Sequence, residues 1–240
     1  MRRNAFVSVA SIGAIAFAAA ACGSSPSPSG AGAEASSSGA SSSEAPPVPA
    51  ARLLAASEIP AGLQYHPVDP TAAEQQAIQY VEAAGQATYD PAECKDPAVH
   101  AQSELQQTRL AGQGFAASGE GGAVYTVTLL PGDVKVASFT AAATGKCSAV
   151  TVTQGQNGLR KQSREEPLPA GAGAQGTVLT TTGTPLVGGS PGTEASTVAA
   201  YFTVNATTAI VTAAAPAGAQ PDRAAFDALV RATAEKAAAH

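Results

Sequence analysis

Apolar positions change their spacing several times along the chain, and each change predicts an element. Residues 5–18 are almost continuously apolar, with Val7, Val9, Ile12, Ile15 and Phe17, and they follow Arg2 and Arg3. Residues 23–49 hold little but Ser, Ala, Gly and Pro, and Val48 is their one aliphatic side chain larger than Ala. Leu53 and Leu54 then give a short helical candidate over 50–56, ended by Ile59-Pro60-Ala61-Gly62. Thr71-Ala72-Ala73-Glu74 has capping-box form and predicts a helix over 71–84 with Ala77, Ile78, Val81 and Ala84 on one side. Asp96-Pro97 predicts the start of a second helix, whose weak stripe is Ala98, Ala101, Leu105 and Thr108.

The period then shortens to two. Gln113–Ser118 and Ala123–Leu130 read as a hairpin about Gly119-Glu120-Gly121-Gly122, with Tyr125, Val127 and Leu129 on one face. Residues 134–144 are a helix candidate, and Ser148–Thr153 alternates again. Gln156-Asn157-Gly158 predicts a turn. Leu159–Arg164 returns as a polar, basic strand, which we assign to a sheet edge because charges commonly protect edges. Thr177–Thr182 reads as a strand and Thr184–Ala195 as a loop. Val198–Val204 and Thr208–Ala213 are strands about a turn at Asn205-Ala206-Thr207. Residues 222–239 form the strongest helix, with Phe226, Leu229, Val230 and Thr233 at i, i+3, i+4 and i+7. The order predicts an α+β domain, a mainly antiparallel sheet covered by helices on one face.

Composition narrows what such a domain can do. Of the 240 residues only 13% are charged, there is no tryptophan, and the net charge is −5. The basic field of a nucleic-acid binder is missing. The first segment has the charged start, short apolar run and small-residue end of a secretory signal, and it is too short to span a ~30 Å hydrocarbon core comfortably. Ala19-Ala20-Ala21-Cys22 resembles a bacterial lipobox. That resemblance implies cleavage before Cys22 and transfer of diacylglycerol to its thiol, so residues 1–21 would be a lipoprotein signal peptide. Residues 22–49 cannot bury enough apolar surface to offset their ordering entropy, and they read as a disordered tether with a reach of about 25–30 Å. Residues 50–240 are then one folded domain on the outer face of the cell membrane, held by the acyl anchor. Without Arg2 and Arg3 the 13 basic side chains fall to 11 against 18 acidic ones, a net −7, so an anionic lipid surface adds no adhesion.

Assigning Cys22 to the anchor leaves Cys94 and Cys147, 53 positions apart. Outside the cytoplasm such a pair usually bonds, which would stabilise the fold by roughly 4 kcal/mol. Catalytic motifs are weak. Gly188-Gly189-Ser190-Pro191-Gly192 matches G-x-S-x-G, but Pro191 offers no N–H for an oxyanion hole, so it reads as a loop. Gly112-Gln113-Gly114 opens a strand rather than a phosphate-binding helix. His66, His100 and His240 have no zinc spacing, and no metal or cofactor is expected. The aromatic residues Tyr125, Tyr201 and Phe202 are candidates for core or cleft. Arg160, Lys161 and Arg164 form a basic cluster, with Arg160 and Arg164 on one strand face and Lys161 on the other, and Arg160 and Arg164 are a candidate contact for an anionic ligand or a partner.

Leu53-Leu54 leading to Ile59-Pro60-Ala61-Gly62, the Asp90-Pro91-Ala92-Glu93-Cys94 segment, the Tyr125–Leu129 strand, Cys147 with its alternating strand, and the amphipathic C-terminal helix resemble a group of actinobacterial surface lipoproteins. The group is similar to the extracellular sensor domain of a mycobacterial serine/threonine kinase, the PknH-like sensor family. The resemblance implies an α+β domain with a cleft, disulfide staples and a ligand-sensing role without chemistry of its own. The expectation is therefore a lipid-anchored, non-enzymatic module that binds a small ligand. The alternative is a lipoprotein that docks another envelope protein.

Overall fold

The computed structural model describes residues 48–68, 70–109, 112–132 and 135–239. The expected signal segment, Cys22 and the expected tether up to residue 47 lie outside the described residues. One sheet organises the domain. Its strands are β1 (Gln64–Pro67), β2 (Thr88–Asp90), β3 (Gln113–Ser118), β4 (Val124–Pro131), β5 (Ala149–Gln154), β6 (Asn157–Pro167), β7 (Gln175–Val187), β8 (Ser190–Pro191), β9 (Ala195–Val204) and β10 (Thr207–Ala214). Their order is β1-β3-β4-β10-β9-β7-β6-β5-β2, with the short β8 paired to β7. The neighbouring strands run antiparallel. The helices are α1 (Pro70–Gln86), α2 (Lys95–Arg109), α3 (Val136–Ala141) and α4 (Arg223–Ala238).

The helices lie on both faces of the sheet, not on one as the pattern predicted. The middle strands explain why. In β9, Val198, Ala200 and Phe202 face one layer while Ala199 and Tyr201 face the other, and all five are buried. A strand apolar on both sides needs cover on both sides. On the first face α4 packs Phe226, Leu229 and Val230 onto Tyr125, Val127, Phe202 and Val211. Asp222 caps α4, its carboxylate accepting from the backbone N–H of Ala224 at 2.8 Å and Ala225 at 3.1 Å. The same layer takes in Leu54 and also Val48, which is 3% exposed although the sequence placed it in the tether. On the second face α2 and α3 bring Leu105 and Phe139 against Leu130, Leu179 and Tyr201.

Several predicted elements shift. The helical candidate over 50–56 forms only short 3-10 turns, Ala50–Arg52 and Ala56–Glu58. The basic strand is β6, which lies inside the sheet between β5 and β7 rather than at its edge. Its arginines are exposed on a face, and a solvated face carries the same charge signal as an open edge. The segment over 184–195 is not a loop throughout, since β7 continues to Val187 and turns through Gly188-Gly189 into β8. The β5–β6 turn sits at Gly155-Gln156, one residue before the expected start at Gln156-Asn157-Gly158, because Gly155 with φ +61° supplies the conformation a two-residue hairpin needs. The edge strands β1 and β2, of four and three residues, are too short to show a period and carry no sequence signal. Among the described residues, no helix is long and apolar enough to cross a membrane.

Candidate functional site

Between the second face of the sheet and α1, α2 and α3 lies a partly open cavity of about 520 Å³. Antiparallel pairing builds its floor in rows, since directly opposed residues share a face. One row runs Tyr89, Val152, Leu159 and Pro185 across β2, β5, β6 and β7. The next runs Val150, Lys161, Gly183 and Ala195. Beyond it come Thr181 and Thr197, then Leu179 and Ala199, then Tyr201.

The roof is made of small side chains. Ala83 and Ala84 of α1, Ala98 and Ala101 of α2, and Ala142 and Ala143 just after the end of α3 line it. Ala195, Ala199 and Gly183 answer them from the floor. Two layers faced with methyl groups cannot interdigitate to the density of a Leu- and Phe-filled core, so their separation leaves space. On the opposite face the larger side chains Phe115, Tyr125, Phe202 and Phe226 form the core. Larger side chains stand at the cavity's far wall, where the Tyr201 ring stacks on Phe139 with centroids 5.6 Å apart.

The Cys94–Cys147 disulfide braces one side of the cavity. Its Cα atoms are 5.6 Å apart, and it joins the turn after β2 to the turn before β5. Cys94 itself lines the wall. The bridge therefore holds β2, β5 and the start of α2 together at the sheet edge that bounds the site.

Among the described residues that line the cavity, Lys161 alone carries a charge. It is half-buried, and it makes no hydrogen bond or ion pair with the described residues. Desolvation by the surrounding protein pulls its pKa below the ordinary lysine value. Ser163, next on that strand face, bonds its hydroxyl to Thr181 at 3.0 Å. Glu165 follows on the same face but is exposed and outside the cavity lining.

The residues singled out from the sequence fall in different places. Tyr201 lines the cavity. Tyr125 and Phe202 lie in the core on the α4 side, where the Tyr125 hydroxyl donates to the Asp222 carbonyl at 3.4 Å. Burial and the nearby Asp222 charge raise the Tyr125 pKa. Arg160 and Arg164 are on the face of β6 away from the cavity. Arg164 pairs there with Glu166 at 2.6 Å, and Glu166 also takes Arg223 of α4 at 2.8 Å. Burial raises the Glu166 pKa, but bonds from Arg223, Arg164 and Thr180 outweigh it and hold the carboxyl below its usual range. That cluster fastens α4 to β6. Ser190 sits exposed in β8, which is followed by β9 and not by a helix. Lys161 belongs to the basic cluster read from the sequence, and its parity opposite Arg160 places it on the other strand face. What the sequence could not show was that the layer over that face is alanine.

No family model matches the chain, and no curated protein matches it. Among solved structures it is similar to an uncharacterized protein (Rv0999 ortholog) from Mycobacterium smegmatis. The two share 16% identity over 76% of this chain and 92% of that one, with a TM-score of 0.43. A likeness of that size carries over no ligand or role.

Proposed function

We propose that the chain is a lipid-anchored, non-catalytic binding module of the cell envelope, whose cavity between the sheet and α1–α3 receives a small apolar ligand. The cavity carries this reading. Its volume of about 520 Å³ lies within the ~300–1,000 Å³ of small-molecule sites. Its lining is mostly aliphatic with a few polar groups, the composition such sites share. Signal peptide, Cys22 anchor and tether would hold this domain just outside the membrane. The sensor-like role implied by the resemblance to kinase sensor domains fits a module of this kind. Docking of another protein calls for a contiguous exposed apolar face. The exposed large hydrophobic residues among those described, Val68, Ile78 and Val187, stand on separate segments, which favours the cavity.

Native mass spectrometry tests the reading on the mature chain carrying Cys22→Ser, which leaves it unlipidated. A reproducible adduct retained from the cell envelope and lost on denaturation is expected. A clean unliganded mass after exposure to envelope lipid extract would overturn the reading and favour the docking role.

A further inference from the structure

The position of Lys161 narrows the ligand class. We propose that the cavity takes a single-chain amphiphile with an anionic headgroup, the Lys161 ammonium pairing with the head and the alanine-lined space holding the alkyl chain. This rests on the reading of the cavity as a ligand site and adds the chemistry of what enters it.

Three observations converge on it. First, the charge of the lining is one-sided. Lys161 is its only charged residue among those described, and no Asp or Glu of the lining offsets it. A cation facing an apolar space without a partner leaves an electrostatic vacancy that an anion fills, and the pairing is stronger there than in water. Second, space is kept open beside the ammonium's stem. Gly183 and Val150 stand directly across from Lys161 on the two neighbouring strands, so one side has no side chain at all. A Cβ at Gly183 would come within 3.2 Å of Leu159 Cδ1, and the empty position keeps that floor low. Third, the rest of the cavity asks for a chain rather than a ring system with many polar groups. A headgroup beside Lys161 and an alkyl chain along the aliphatic lining suit a space of about 520 Å³. Tyr201 and Phe139 close its apolar far wall.

The desolvation that pulls the Lys161 amine down acts in the unliganded protein, and a bound anion would restore the charged form by pairing with it. The unpartnered lysine is thus a cost to the empty domain that ligand binding relieves.

Equilibrium dialysis on the mature Cys22→Ser chain tests the proposal with labelled hexadecanoate, hexadecanol and hexadecyl phosphate below their aggregation limits. Hexadecanoate or hexadecyl phosphate should bind at least ten-fold more tightly than hexadecanol, and whichever is tighter identifies the headgroup as carboxylate or phosphate. Lys161→Met should erase that preference while still binding hexadecanol, which also shows that the variant is folded. Lys161→Arg should keep the preference. Shortening the chain should weaken binding about four-fold per methylene removed. Equal binding of acid and alcohol, or a preference that survives Lys161→Met, would overturn the headgroup assignment and leave the cavity reading standing. Binding of none of the three would overturn both.

Discussion

Lys161 lies directly across the β6–β7 ladder from Gly183, and that pairing puts a cation beside the one position in its row with no side chain. The row continues to Ala195, so the lysine looks along a floor of glycine and alanine under a roof of alanine. The low aromatic and charged content of the chain becomes physical at this point. Alanine-rich helices laid on an alanine-rich stretch of sheet make a container, while the phenylalanines collected on the other face make the core.

Replacing Lys161 by Met should make the unliganded protein more stable. A desolvated ammonium without a partner is exchanged for an apolar side chain of similar length, a gain of about 1 kcal/mol or more. The sign with pH follows from the lowered pKa. Because the folded-state pKa lies below the unfolded value of about 10.4, the penalty on the charged form is full below the folded pKa and fades as pH rises toward the unfolded one. Urea unfolding at neutral and at alkaline pH should show the variant's advantage shrinking as pH rises.

Filling the cavity should separate stability from binding. Ala195→Leu adds apolar atoms to the floor beside Gly183, and it should raise unfolding stability by about 1–2 kcal/mol. The same variant should bind hexadecanoate at least ten-fold more weakly. Thermal unfolding and dialysis on one sample check both, and a destabilised variant with unchanged binding would mean that the space is not the ligand's.

Removing the disulfide should be costly in the chain and visible in the site. The Cys94→Ser, Cys147→Ser double variant should lose about 4 kcal/mol, the value for closing a loop of the 53-residue separation. Since Cys94 lines the cavity, ligand affinity should fall even at a temperature where the variant remains folded. Denaturant unfolding gives the first quantity and dialysis the second.

The Glu166 cluster predicts acid sensitivity of a different origin. Its depressed pKa means that stability is present above the unfolded glutamate value of about 4.3 and is lost as pH falls through the lower folded value. Glu166→Gln should lower stability by about 1–2 kcal/mol at neutral pH and flatten the acid limb of the stability profile. Ligand binding should not change, because Glu166, Arg164 and Arg223 stand on the α4 side of the sheet.

Much of this architecture was readable from the sequence where apolar spacing carried it. The β3–β4 hairpin, the paired β9 and β10, and the α4 stripe of Phe226, Leu229, Val230 and Thr233 all appear as the alternation or helical period predicted. The Cys94–Cys147 pair follows from counting thiols against an expected export signal. The rest was hidden for specific reasons. β1 and β2 are held by their neighbours rather than by their own pattern. The placement of β6 needed knowledge of its partners, since Arg160 and Arg164 look alike on an edge and on an exposed face. The cavity was least visible of all. It arises where Ala101 and Ala143, far apart in sequence, come to face Gly183 and Ala199, and alanine at each position reads only as a weak helix or strand former.

The central claim is that the ligand lies between the sheet and α1–α3, and alanine methyl NMR can test it residue by residue. The mature Cys22→Ser chain, labelled at alanine methyls, would be titrated with hexadecanoate. The methyls of Ala195, Ala199 and Ala214 line the cavity, whereas those of Ala200, Ala209 and Ala213 lie in the core on the opposite face. The account predicts saturable shifts in the first three and little change in the second three, with Ala199 and its neighbour Ala200 behaving oppositely. Shifts confined to the second set, or none in either, would contradict it.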